Sequence, residues 1–281
     1  MKYNRIVIFG SSGFVGQSVL GYLKNLANLI IEINSSTLDL TLSSSSDLIK
    51  NYIKDGDIII FISAKAPCRD GKEFLDNLNM IKNFKQGILN LGIKPLKLLY
   101  VSSDAVYSDS KNLINEESEK FPDNLHGLMH LLRENELKES FKNILTIVRP
   151  TLIYGRSDPH NGYGPNKFYR NYKDQKKIQL FGKGEELRDH VHIDDVGKLI
   201  MKCIEDDFVG EVNAVSGEVI SFREIAETFS KKSKNINVEF LKRNGPMPHN
   251  GYRAFAKSKA ETSLNFKFTN PKVGIEKEFL N

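Results

Sequence analysis

The sequence predicts an α/β protein: a doubly wound parallel sheet with a smaller, partly interleaved C-terminal lobe. Three observations carry that expectation. Short unbroken apolar runs alternate with amphipathic stretches as far as Pro150, and strands read this way when helices cover both faces of their sheet. A glycine-rich turn, Gly10-Ser11-Ser12-Gly13-Phe14-Val15-Gly16, joins the first run to the first amphipathic stretch. Beyond Pro150 the regular alternation gives way to polar loops and weaker periodicity.

Ile6-Val7-Ile8-Phe9 reads as the first buried strand, and Val15, Val19, Leu20, Leu23 and Leu26 recur near helical spacing over 14–26. Glycine lets the intervening backbone approach a ligand, and a helix N-terminus offers unpaired N–H groups to a diphosphate. Gly10, Ser12, Gly13, Phe14, Val15 and Gly16 are therefore candidate dinucleotide contacts. Residues 29–33 form the second strand. It ends in Asn34-Ser35-Ser36, neutral where an acidic residue would grip a ribose 2′-hydroxyl. With Asn34 and Ser35 as contacts, this favours NADP over NAD.

Asp39-Leu40 precedes a helix over 43–54, capped by Ser or Asp. Gly56 breaks it, residues 57–62 form the third strand, and a long helix over 74–91 stops at Gly92 and Pro95. The next strand is 96–101. A polar loop over 157–167 suits ligand binding. A helix over 194–204, a strand over 211–215 and a helix over 221–233 follow. A dinucleotide-binding domain is thus expected over 1–150, with a 194–206 helix packing back on it, and a substrate lobe over 151–281.

Composition narrows the function classes. Forty per cent apolar and 27% charged residues fit an ordinary globular protein. The apolar runs are too short for a membrane span, and Met1-Lys2-Tyr3-Asn4 leads into the first strand without a hydrophobic signal region, so a cytoplasmic location is expected. Cys68 and Cys203 have no metal-ligand spacing. The net charge of +5 is spread out and argues against nucleic acid as a partner.

Val101-Ser102-Ser103-Asp104-Ala105-Val106-Tyr107 resembles the extended short-chain dehydrogenase/reductase family, whose members mostly act on nucleotide sugars. The glycine loop, Asp39-Leu40, Asn79, Arg149-Pro150, Tyr154-Gly155 and the Arg188–Asp195 run carry the same likeness along nearly the whole chain. The resemblance implies a Rossmann-type sheet and NAD(P) contacts at Asp39, Leu40, Ser63, Ala64, Asn79 and His130. Ser103 would hydrogen-bond the reacting sugar oxygen, beside Asp104. Alanine at 105, where dehydratases carry a base, argues against dehydration. Arg188 would bind the substrate diphosphate, with Arg243, Tyr154 and Asn166 as further substrate contacts; Asp194 and Asp195 read as helix caps.

The family's defining pair is Tyr-x-x-x-Lys, one helical turn apart. The lysine holds the nicotinamide ribose and lowers the tyrosine pKa, and the tyrosine exchanges a proton with the substrate. Here the aligned residues are His126 and His130. An imidazole titrates near 6.5 unaided, so His126 can stand as general acid without a lysine. A metal pair would need a third ligand, which the nearby sequence does not offer. Lys65 is a candidate to restore the lost charge, weighed against a solvated loop lysine. Two functions are therefore expected to compete: an NAD(P)-dependent 4-keto reductase or epimerase on a nucleotide diphosphate sugar, and a binding member that serves as a regulatory or partner subunit. A homodimer is left open.

Overall fold

The computed structural model describes residues 2–232 and 237–280. In chain order the elements are β1 (Tyr3–Phe9), α1 (Phe14–Leu23), β2 (Ala27–Ile33), α2 (Ser45–Leu48), β3 (Ile58–Phe61), α3 (Gly71–Asn90), β4 (Lys97–Val101), α4 (Leu125–Phe141) and β5 (Leu145–Pro150). They continue as β6 (Leu152–Tyr154), α5 (Pro165–Lys173), β7 (Ile178–Phe181), β8 (Leu187–His192), α6 (Ile193–Glu205), β9 (Gly210–Ala214), β10 (Val219–Ser221) and α7 (Phe222–Lys232). After the undescribed 233–236 come β11 (Val238–Leu241), β12 (Tyr252–Arg253), α8 (Lys259–Ser263) and α9 (Pro271–Leu280). The Ser233 end of the helix expected over 221–233 lies outside the described residues.

The chain divides into two compact units. The first holds the residues up to Ser108 with Glu116–Pro150 and Val196–Asn213; the second holds Asp109–Asn115, Thr151–Asp195 and the residues from Ala214 on. The boundary expected at 150 is thus crossed twice, by 109–115 and by 196–213.

In the first unit six strands lie in the order β2-β1-β3-β4-β5-β9. The pairings β1 with β2, β1 with β3, β3 with β4 and β4 with β5 are all parallel. β3 and β4 are buried at every position, as strands covered on both faces must be. Phe61, Phe84 and Tyr100 carry the aromatic centre of the core, with the Phe61 and Phe84 rings stacked at 4.3 Å. The order reverses between β1 and β3, and ligands in such sheets bind at the carboxyl ends of the strands flanking that reversal. Gly10 and Ser63 stand there.

Two helices differ from expectation for local reasons. α3 begins at Gly71, three residues before the expected 74, because Asp70 caps it: its side chain accepts the Glu73 N–H at 2.8 Å, and Glu73 accepts the Arg69 N–H at 2.7 Å. The expected 43–54 helix is only α2 followed by a 3₁₀ turn, Ile49–Asn51. In the second unit β8 pairs antiparallel with β10 and parallel with β6 and β12, while β7 and β11 form a separate parallel pair. Its core gathers Phe168, Phe222, Phe229 and Phe279 from α5, α7 and α9.

Candidate active site

The glycine turn is built for close approach. Gly10 has φ +91°, and a Cβ there would stand 2.7 Å from the Ser63 nitrogen. A Cβ on Gly16 would stand 2.2 Å from the Gly10 carbonyl oxygen, so Gly16 lets α1 pack on its own turn. Gly13 differs: its nearest neighbour would be 3.5 Å away, so the chain itself leaves room there. Gly13 is the N-cap of α1, which has no side-chain cap and no acidic group in its first turn. Its N–H groups and positive dipole end fit the diphosphate of a dinucleotide. Ser12 and Gly13 are exposed, and Phe14 and Val15 are half-buried.

At the end of β2 the Asn34 side-chain oxygen accepts N–H bonds from Ser36 and Thr37, folding a local turn, while Ser35 stays exposed. Asp39 accepts from Thr41 in the same way, and these hydrogen bonds hold its carboxyl below the usual range. The Leu40 side chain belongs to the core. Ser63 and Ala64 follow β3, half-buried. Asn79 is exposed; two residues earlier the fully buried Asn77 accepts the Lys65 N–H at 3.0 Å and donates to the Lys65 carbonyl at 3.0 Å. Asn77 therefore holds the segment after β3. Helical register could have found it, since 77, 81, 84 and 88 share the buried face.

The reaction side is assembled where α4 meets the segment after β4. Asn124 caps α4 by accepting the Gly127 N–H at 2.9 Å. Gly127 lies so close to the next segment that a Cβ would stand 2.1 Å from the Ala105 carbonyl oxygen. This contact holds the start of α4 against the turn after Ser103, and Asp104 of that turn acts electrostatically on His126. Ser103 caps the 3₁₀ turn Asp104–Val106 by accepting the Ala105 N–H at 3.2 Å.

His126 Nδ1 accepts the Cys68 N–H at 3.4 Å, so its ring hydrogen sits on Nε2. Burial lowers its pKa, and the Asp104 carboxylate offsets that only in part. The freely titrating imidazole expected from sequence is thus held toward its neutral form. The His126 and His130 rings meet edge to face, centroids 4.7 Å apart. His130 is buried, and its Nδ1 lies 2.6 Å from the Tyr100 hydroxyl. Burial, the His126 ring and the Arg133 cation together push its pKa well below the ordinary value.

Lys65 does not restore the missing charge next to these rings: it pairs with Asp76 and remains 44% exposed. The buried cation is Arg133, which donates to the Ser63 carbonyl at 2.6 Å. Sequence reasoning missed it, although 126, 130 and 133 share one helical face. Behind Ser103 runs a buried ion network. Ser102 Oγ donates to Glu134 at 2.7 Å, and Arg149 grips both Glu134 oxygens at 2.8 and 2.6 Å. A third Arg149 nitrogen donates to the Tyr107 hydroxyl at 2.8 Å. β4, α4 and β5 are thereby tied together directly under the reacting segment.

In the second unit Arg188 and Arg243 share one carboxylate. Glu186 is buried and lies 3.1 Å from Arg188 and 2.5 Å from Arg243. Arg188 also donates to the Pro248 carbonyl at 2.9 Å, and Arg243 to that of Phe181 at 3.0 Å. The two expected anion contacts do come together, around an internal anion. Tyr154 does not join them as an accessible contact: it is fully buried, and a Cβ on Gly274 would fall 1.9 Å from its hydroxyl. Asn166 is occupied within its loop, accepting the Gly155 N–H at 3.0 Å and donating to Asp158 at 2.7 Å. Asp195 accepts the Thr269 N–H at 2.7 Å rather than acting only as a cap.

The chain belongs to the NAD dependent epimerase/dehydratase family, whose profile matches residues 6–215. An uncharacterized protein of Methanocaldococcus jannaschii, MJ1055, is 27% identical over 328 aligned positions covering 100% of this chain and 96% of that one. Two solved structures share the fold. The UDP-glucose 4-epimerase of Thermus thermophilus in complex with NAD has a TM-score of 0.83 at 17% identity, covering 98% of this chain and 97% of that one. The dTDP-4-dehydrorhamnose reductase of Bacillus anthracis in complex with NADP has a TM-score of 0.80 at 20% identity, covering 99% of each chain. No helix among the described residues is long and apolar enough to cross a membrane.

Proposed function

We propose that the protein is a reductase that uses NADPH to reduce a keto group on a nucleotide diphosphate sugar. The carrying observation is His126, which stands in sequence where the family carries its tyrosine: its Nδ1 is turned to the Cys68 amide, which leaves Nε2–H as the ring's donor. When bound, the nicotinamide would supply hydride. Ser103 Oγ would orient the carbonyl oxygen, and His126 Nε2 would give the proton to the alkoxide as it forms. Neutral imidazole can act as such an electrophile. Water would return a proton to the ring afterwards, and the Asp104 carboxylate, which raises the His126 pKa toward normal, would favour the reprotonated ring. Gly13 and the first turn of α1 would hold the dinucleotide diphosphate, Arg133 would fix the segment at Ser63, and Arg188 with Arg243 would hold the substrate diphosphate. NADP is preferred because β2 runs into the neutral Asn34-Ser35-Ser36, with Ser35 exposed.

Reduction suits two histidines better than epimerisation, which must both remove and return hydride. The same pair favours a second reading, in which the chain binds these ligands without turnover as a regulatory or partner subunit. Neither ring supplies a permanent charge. Incubation with a panel of 4-keto nucleotide sugars and NADPH, with product mass as readout, separates the two. A product two hydrogens heavier supports the reductase; ligand binding with no product supports the binding subunit.

A further inference from the structure

Tyr100 is fully buried on β4, and among the described residues its hydroxyl bonds only to His130 Nδ1, at 2.6 Å. The direction of that bond follows from closure. If the imidazole donated from Nδ1, the phenolic hydrogen would be left buried without an acceptor. If the phenol donates, both groups are satisfied, and His130 carries its single hydrogen on Nε2. Burial raises the Tyr100 pKa, so the phenol keeps its proton.

Protonating His130 would place a second N–H against the Tyr100 hydroxyl and a second cation near Arg133. Arg133 is fully buried, and among the described residues it has no carboxylate partner. Its guanidinium instead lies over the Phe61 and Tyr100 rings at 4.9 and 5.3 Å, and donates to the Ser63 carbonyl and Asn77. The other charged groups on and around α4 are engaged elsewhere. Asp104 acts on His126, Glu134 is gripped by Arg149 of β5, and Lys85 of α3 pairs with Glu136 and Glu139.

We propose that Tyr100 and Arg133 hold His130 as a permanently neutral Nε2–H donor, so that this turn of α4 offers a nicotinamide dinucleotide a hydrogen bond and no charge. The ligand half rests on the reading that the first unit binds such a cofactor. In the family, lysine at this place is donor and cation at once. Here His130 keeps only the donor task, while Arg133 is spent inside the protein on the Ser63 carbonyl and Asn77. Tyr100 is a positioning residue, acting through His130.

The test is imidazole nitrogen–proton NMR on the full chain, labelled at histidine, from about pH 5.5 to 8.5, a range that brackets ordinary imidazole titration. His130→Ala assigns the signals. His130 in the parent should show an unprotonated Nδ1 and a protonated Nε2 throughout, and Tyr100→Phe should bring in the second tautomer. An Nδ1–H tautomer in the parent, or titration near 6.5, would overturn the proposal even with tight NADPH binding. NADPH affinity is measured in parallel at about pH 8, where the ligand's own 2′-phosphate is fully ionised. It should fall on His130→Ala and be largely kept by the neutral donor in His130→Gln. The expected NMR result with no NADPH binding in the parent would overturn the ligand half and the cofactor reading with it.

Discussion

The α-carbon of Gly127 faces the Ala105 carbonyl so closely that a methyl group there would stand 2.1 Å from the oxygen. This contact joins the start of α4 to the turn that follows Ser103, and so fixes where His126 stands. Any side chain must push the two apart. Gly127→Ala should destabilise the fold by about 1–3 kcal/mol, the range for overpacking a tight contact, as read by urea unfolding. A variant as stable as the parent would show that the contact relaxes freely and does not set the position of His126.

Gly13 and Gly16 make contrasting substitutions within one turn. Gly13 has φ −73°, which valine can adopt, and its Cβ would meet nothing closer than 3.5 Å. Gly13→Val should therefore keep the melting temperature and lose NADPH binding, because its side chain occupies the ligand's space. Gly16→Val should unfold the turn itself. Unchanged NADPH affinity in a folded Gly13→Val protein would remove the glycine turn as the dinucleotide site.

Glu134 is completely buried, with Arg149 and Ser102 as partners. Arg149 also pairs with the half-buried Glu211 at 2.7 Å, so Glu134→Ala leaves that cation one carboxylate and costs about 1–3 kcal/mol, the scale of buried groups losing their hydrogen bonds, rather than that of a stranded charge. Glu134→Ala should lose stability on that scale in denaturant titration. A loss comparable to an exposed ion pair, below about 1 kcal/mol, would contradict the view that this network braces the reacting segment.

The strands were legible because β3 and β4 are covered on both faces and so read as unbroken apolar runs. The turn between β1 and α1 was legible because glycine spacing has few other uses. What escaped was decided by side-chain direction. Asn79 drew attention by likeness, but Asn77 lies on the buried face of α3. Tyr154 sits in a motif, but its hydroxyl is packed against Gly274, which is 120 positions away in sequence. Tyr100 was hidden inside a strand, although a fully buried tyrosine hydroxyl must find a partner. The replaced dyad itself was plain in the sequence; the state of its imidazoles depends on Cys68, Tyr100 and Arg133, which only the fold brings to them.

Arg188 and Arg243 hold Glu186 between them, so an incoming diphosphate would meet two guanidiniums already oriented. A charge-assisted hydrogen bond contributes about 1.5–3 kcal/mol, so Arg188→Ala should weaken UDP and dTDP binding by about tenfold or more in calorimetry. Equal affinity in variant and parent would remove Arg188 as the diphosphate contact.

The central claim is that His126 gives the proton in a ketone reduction from an imidazole whose pKa lies below the ordinary 6.5. Nε2 carries a hydrogen in both protonation states, but the charged ring, the stronger acid, is populated only below that lowered pKa. The rate should therefore change little between about pH 6.5 and 8.5, and any rise should be confined to lower pH. The direct measurement is turnover of a keto nucleotide sugar with NADPH by the parent, His126→Ala and Ser103→Ala proteins across about pH 5.5 to 8.5. The account predicts that His126→Ala loses at least about a hundredfold in rate, the scale of general-acid catalysis, with NADPH binding retained. Full activity in His126→Ala, or a parent rate that falls with a midpoint above 6.5, would contradict it.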